Sequence, residues 1–103
     1  MSNVANIAEA TIKRAAALPN TEGANNVFKV LHGFYGNLFL SKFATGQERG
    51  GEDFGVVSAR QIWAHALRDT PPHAVKSALG QCLDKHPEFP PSLPQFVALC
   101  RAN

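Results

Sequence analysis

The chain has 103 residues, enough for one domain and too few for two. Its composition, 45% hydrophobic and 17% charged, is that of a globular chain and excludes overall disorder. Ten basic and eight acidic residues leave a net charge of +2, and the basic residues are scattered, so the sequence lacks the basic stripe of a dedicated nucleic-acid binder.

In the first segment Val4, Ile7, Ala8, Thr11, Ile12, Ala15 and Leu18 recur at three- and four-residue steps, one face of an alanine-rich helix. That face is thin, so residues 1–20 are expected to dock loosely or to serve a partner. Glu9, Lys13 and Arg14 interrupt the segment too often for a signal peptide. No apolar run approaches the ~20 residues of a membrane span, so a cytoplasmic protein without membrane contact is expected. Pro19 to Gly23 breaks the pattern.

The second segment runs from about Asn25 to Phe43. Phe28, Leu31, Tyr35, Leu38 and Phe39 form its main face, and Val27, Val30 and Phe34 widen it, as in a central helix. Gly33 and Gly36 point to the close approach of a neighbouring helix or to a kink. Residues 44–57 form a glycine-punctuated loop, with Glu48, Arg49, Glu52 and Asp53 keeping it wet and Phe54, Val56 and Val57 pinning its far end.

The third helix is predicted to start at Ser58, whose spacing to Gln61 matches a capping box, with Val57 and Ile62 as a hydrophobic staple. Ile62, Trp63, Ala66 and Leu67 then form its apolar face. Thr70 and Pro71 suit the N-cap and first position of a fourth helix, whose buried face is Val75, Ala78, Leu79, Cys82 and Leu83. His86-Pro87 ends it. After the connector Pro87–Pro91, Ser92 and Gln95 form a second capping box for a last helix carrying Phe96, Val97, Leu99 and Cys100. No segment alternates with period two. The fold class expected is all-α, a bundle of about five helices with the last three short and well capped, in a single domain over 1–103.

Little in these elements carries chemistry. The glycines at 46–55 are not followed by the Gly-Lys-Ser/Thr of a phosphate loop. Cys82 and His86 share a helix face, but a structural zinc site wants four ligands in close pairs. Cys82 and Cys100 with His65, His73 or His86 lack any spacing that specifies a nucleophile and its base, and both cysteines fall at apolar positions, where reduced core thiols are the default. Trp63 fits the core. No catalytic residue, cofactor or metal is expected, and the chain is read as a non-enzyme. Segments three and four, joined by Arg68-Asp69-Thr70, have the outline of a helix-turn-helix. The exposed positions of the second helix, His73, Lys76, Ser77, Gln81 and Asp84, make a poor recognition set, so any nucleic-acid contact is expected to be weak.

The second half of the chain carries a longer pattern. The tryptophan helix Gln61-Ile62-Trp63-Ala64-His65-Ala66-Leu67 is followed by an amphipathic helix ending Leu79-Gly80-Gln81-Cys82-Leu83. The closing cassette comes next: Phe89-Pro90-Pro91-Ser92-Leu93-Pro94-Gln95-Phe96-Val97-Ala98-Leu99-Cys100-Arg101. Over residues 25–102 this resembles the N-terminal domain of the phage replication protein P family, the lambda P type. That family has an aromatic-rich helix, here Val27 to Phe43, before the tryptophan helix, and it closes on a proline-serine-proline-phenylalanine-cysteine-arginine signature. The resemblance implies a nucleotide-independent role at a replication origin in the host-cell cytoplasm, between the origin-binding initiator and the replicative helicase. In the family the helicase-gripping part lies C-terminal to this domain.

Physically the cassette sets the angle of the last helix: the prolines hold an extended approach, Phe89 anchors it, Ser92 and Gln95 cap, and Phe96 packs back. The expected function is a protein-binding adaptor in replication initiation, with an initiator, the replicative helicase or another host protein as partner. The alternatives are an inhibitor of a host or defence protein and a helix-turn-helix-like DNA binder. Lys76, Lys85, Glu88 and Arg101 are the expected contact residues.

Overall fold

Asn20 starts the first helix of the described residues. Its side-chain oxygen accepts a hydrogen bond from the backbone N–H of Gly23 at 2.9 Å, and α1 runs from there over Thr21–Tyr35. This is earlier than the apolar pattern suggests, because an N-cap asparagine satisfies an otherwise orphan donor wherever it falls. At Gly36 the backbone turns into the left-handed region (φ +63), which favours glycine, and α2 (Asn37–Leu40) continues in a new direction. The segment expected as one helix to Phe43 is therefore broken in two, and of the two readings for its glycines the kink holds at Gly36. At Gly33 a Cβ would meet nothing within reach among the described residues, so no described helix approaches closely there.

The computed structural model describes residues 18–102; residues 1–17 and Asn103 lie outside it, and with them almost all of the helix expected from Val4 to Leu18. The remaining elements are β1 (Glu48–Arg49), β2 (Glu52–Asp53), α3 (Phe54–Ala66), α4 (Pro72–Lys85) and α5 (Leu93–Arg101). The result is a small, mostly helical bundle. Its short hairpin, which the lack of alternation did not suggest, pairs Glu48 with Asp53 and Arg49 with Glu52 in antiparallel register. Gly50 and Gly51, both at positive φ, form its two-residue turn.

α3 begins at Phe54 and not at Ser58. The Asp53 carboxylate accepts from the N–H groups of Gly55 and Val56 and so caps the helix first. Ser58 then lies inside the helix, and the capping box with Gln61 does not form. The staple fails with it, since Ile62 is 62% exposed. The fourth helix also starts one residue later than expected. Pro72 forces Pro71 into an extended conformation (ψ 152), so Pro72 takes the first helical position and no side chain caps α4. Its end at His86 is as expected.

The core forms where α1 packs against α3 on one side and α4 on the other, with α5 lying on α4. Val27, Phe28, Leu31, Phe39, Trp63, Leu67, Val75, Cys82 and Phe96 are buried in it. Trp63, 3% exposed, sits at its centre, as its position predicts. Phe28 and Phe39 meet it edge-on, with ring centroids at 5.4 and 5.9 Å, and Phe96 lies at 5.6 Å. Such aromatic contacts contribute about 0.5–1.5 kcal/mol each beyond burial.

Candidate functional site

Among the described residues, one side of the bundle, between α1 and α4, is incompletely covered. Between α1 and α4 lies an open groove of about 680 Å³. Val30 and Phe34 from α1 and Val75 and Leu79 from α4 give it apolar walls, and Gly23 and Gly80 hold side-chain bulk out of it. Its edges carry Asn20, Glu22 and Asn26 on one side and Lys76 on the other. Phe34, expected inside, is 40% exposed here. Leu83, also expected inside, is exposed and continues the α4 stripe one turn beyond Leu79.

Hydrogen bonds tie the helices together near both ends of α1. At the first, the Asn20 backbone N–H donates to the Ala64 carbonyl at 2.8 Å and its side-chain amide to the Leu67 carbonyl at 3.3 Å, which clamps the start of α1 to the end of α3. At the other, the Tyr35 hydroxyl lies 2.8 Å from the His86 carbonyl and 3.2 Å from that of Cys82, tying the end of α1 to the end of α4. Burial, and then the neighbouring Cys82, push the Tyr35 phenol above its ordinary range, so it remains a donor at neutral pH.

The expected contact residues Lys76, Lys85, Glu88 and Arg101 are all exposed, but the fold does not bring them together. Lys76 edges the groove. Lys85 lines a separate depression with Gln81, His86 and Gln95. Arg101 lines a third, beside Arg68 and Asp69. Glu88 lies in the bend of the connector.

The closing cassette is structural, as its chemistry suggests. The Ser92 N–H donates to Gln95 Oε1 at 2.9 Å and the Gln95 N–H to Ser92 Oγ at 3.3 Å, completing the capping box. Pro90 and Pro91 are buried, Lys42 Nζ donates to the Pro90 carbonyl at 3.3 Å, and Phe96 and Cys100 pack inside. The anchor is not Phe89. The chain bends over residues 87–89 and turns that ring outward, leaving it 65% exposed, and Pro91 fills the core position instead.

Cys82 and Cys100 are buried and unbridged, the core thiols their apolar positions predict. Burial, and secondarily Cys100, raise the Cys82 thiol to about 11, and burial raises Cys100 as well. A thiol held protonated is a poor nucleophile and a poor ligand. Among the described residues no three His, Cys, Asp or Glu side chains converge as metal ligands would, and no helix is long and apolar enough to cross a membrane. Among the described residues α3 packs mainly on α1, and α4 on α1 and α5.

Comparison with protein-family models, with curated proteins and with solved structures finds no match.

The Asn20 clamp and the groove escaped the reading of the sequence. Asn20 carries a local signal, a capping side chain with Glu22 in the first turn behind it. The groove carries none, because Val30 and Phe34 continue the apolar face of α1 without interruption.

Proposed function

We propose that this chain is a non-enzymatic protein-binding adaptor of replication initiation in a phage or prophage, with an origin initiator or the replicative helicase as partner. The observation that carries the binding role is the open apolar groove between α1 and α4, edged by Glu22 and Lys76. Grooves of this kind take the apolar face of an amphipathic helix. The replication setting rests on the resemblance of residues 25–102 to the lambda P-type N-terminal domain.

The experiment is affinity capture on the immobilised chain from host lysate, at low and raised salt, with Phe34→Asp as control. Phe34 is partly exposed, so this change tests the groove without opening the core. Recovery of the helicase or initiator at raised salt, lost with Phe34→Asp, supports the proposal. Recovery of a different host protein supports an inhibitor instead. Recovery of DNA alone, lost as salt rises, overturns the adaptor reading in favour of electrostatic nucleic-acid binding.

A further inference from the structure

We infer that the groove between α1 and α4 reads the direction of its partner. It takes an amphipathic helix antiparallel to both, with large apolar side chains towards its N-terminus and an acidic and a basic side chain two to three turns further on. This deepens the adaptor reading and rests on its assignment of the groove to a partner helix.

The two walls run in the same direction. Asn20, which caps α1, donates to the Leu67 carbonyl, in the stretch that leads into α4. Tyr35, the last residue of α1, reaches the His86 carbonyl that ends α4. Both N-termini therefore lie at one end of the groove and both C-termini at the other. Their macrodipoles add, and a third helix seated between them is favoured with its own N-terminus at the Tyr35–His86 end. No side chain caps the start of α4, which leaves that end the more positive.

Side-chain chemistry changes along the same axis. Towards the Asn20 end the edges are polar, with Glu22 and Asn26 on α1 and Lys76 on α4. Towards the Tyr35 end they are apolar, with Phe34 40% exposed and Leu83 50% exposed. At about 1.5 Å per residue, roughly 18 Å of α1 separates Glu22 from Phe34, and roughly 10 Å of α4 separates Lys76 from Leu83. A partner buries large apolar side chains at one end and has its charges answered at the other. In the antiparallel sense, the residues that reach Phe34 and Leu83 come first in the partner's sequence. An acid opposite Lys76 and a base opposite Glu22 follow them, and the reversed signs are repelled.

Gly80 sets how closely the partner approaches. It lies inside α4, where alanine is favoured over glycine. A Cβ there would meet nothing within 4 Å among the described residues, so no described neighbour requires the glycine. It does line the groove, and its missing side chain keeps the α4 wall low where the partner's backbone passes.

The test selects helical peptides of 18 residues from a display library on the full chain, then labels the tightest one with a nitroxide at either end. Its affinity should fall at least tenfold with Phe34→Asp and with Gly80→Leu, the second at an unchanged or raised melting temperature because leucine favours a helix over glycine. The N-terminal nitroxide should quench the backbone amides of Phe34, Tyr35 and Leu83, and the C-terminal one those of Gly23 and His73. Exchanging the wall charges, Glu22→Lys with Lys76→Glu, should weaken binding about tenfold, and a peptide with its own two charges exchanged should recover it. The opposite quenching pattern, or indifference to the charge exchange, would overturn the inference and leave the groove as a binding site. A selection without binders, or binders indifferent to Phe34→Asp and Gly80→Leu, would overturn the groove itself and the adaptor reading with it.

Discussion

The Tyr35 hydroxyl donates to the carbonyl of His86, the residue that ends α4, across 2.8 Å. Through this contact a side chain of α1 satisfies a terminal carbonyl of α4 and holds the far end of the groove. Tyr35→Phe should cost about 0.5–1.5 kcal/mol, the net value of one such bond, with helix content unchanged. Urea unfolding followed by circular dichroism measures it; a loss indistinguishable from zero would mean that solvent satisfies His86 equally well.

Two aromatic residues that look alike in sequence should behave oppositely. Trp63 is nearly inaccessible among Phe28, Phe39 and Phe96, so Trp63→Ala should destabilise by about 3–5 kcal/mol. Phe89 points outward, so Phe89→Ala should stay within about 0.5 kcal/mol of the parent. Thermal denaturation of both variants provides the check, and comparable losses would contradict the outward placement of Phe89.

Gly55 sits in the first turn of α3, where an added Cβ would run into the backbone carbonyl oxygen of Phe43 and the Thr45 methyl. Alanine ordinarily favours a helix over glycine. Here Gly55→Ala should instead destabilise, by about 1–3 kcal/mol, the usual cost of forcing atoms into filled space. A raised melting temperature would show that the 43–55 contact yields easily.

The Asp53 carboxylate accepts backbone N–H groups from Thr45, Gly46, Gly55 and Val56. These bonds, that of Thr45 first, hold it below the ordinary carboxylate range. Its folded-state pKa is depressed, so its stabilisation is complete above the unfolded-state value and is lost as pH falls through the folded-state one. Melting temperature should therefore fall with acidification in that window, and Asp53→Asn should flatten the dependence. Equal slopes in the two proteins would assign the acid sensitivity elsewhere.

Neither Cys82 nor Cys100 should react with an aromatic disulfide reagent near neutral pH, because burial keeps both thiols protonated and shielded. Both should titrate promptly in denaturant. Fast modification of the folded chain would place one thiol at the surface.

What could be read locally and what could not divides along physical lines. The Ser92–Gln95 box and the stop at His86 follow from short-range rules, since capping geometry and proline sterics act within a few residues. The start of α3 shows where such rules compete. Asp53 and Ser58 both qualify as caps, and the decision lies with Gly55, whose missing Cβ lets the chain pass Phe43 and Thr45, residues about ten positions back.

The sequence by itself determined a helical bundle, its two core thiols and the capping box of its closing cassette, because periodicity and caps are written in neighbouring residues. The tertiary structure alone decided that Phe34 and Leu83 face outward, that Phe89 yields its place to Pro91, and that α1 and α4 leave a groove between them. Those outcomes depend on which helix lies against which face. An apolar side chain is compatible equally with a core and with a docking surface until its neighbours are in place.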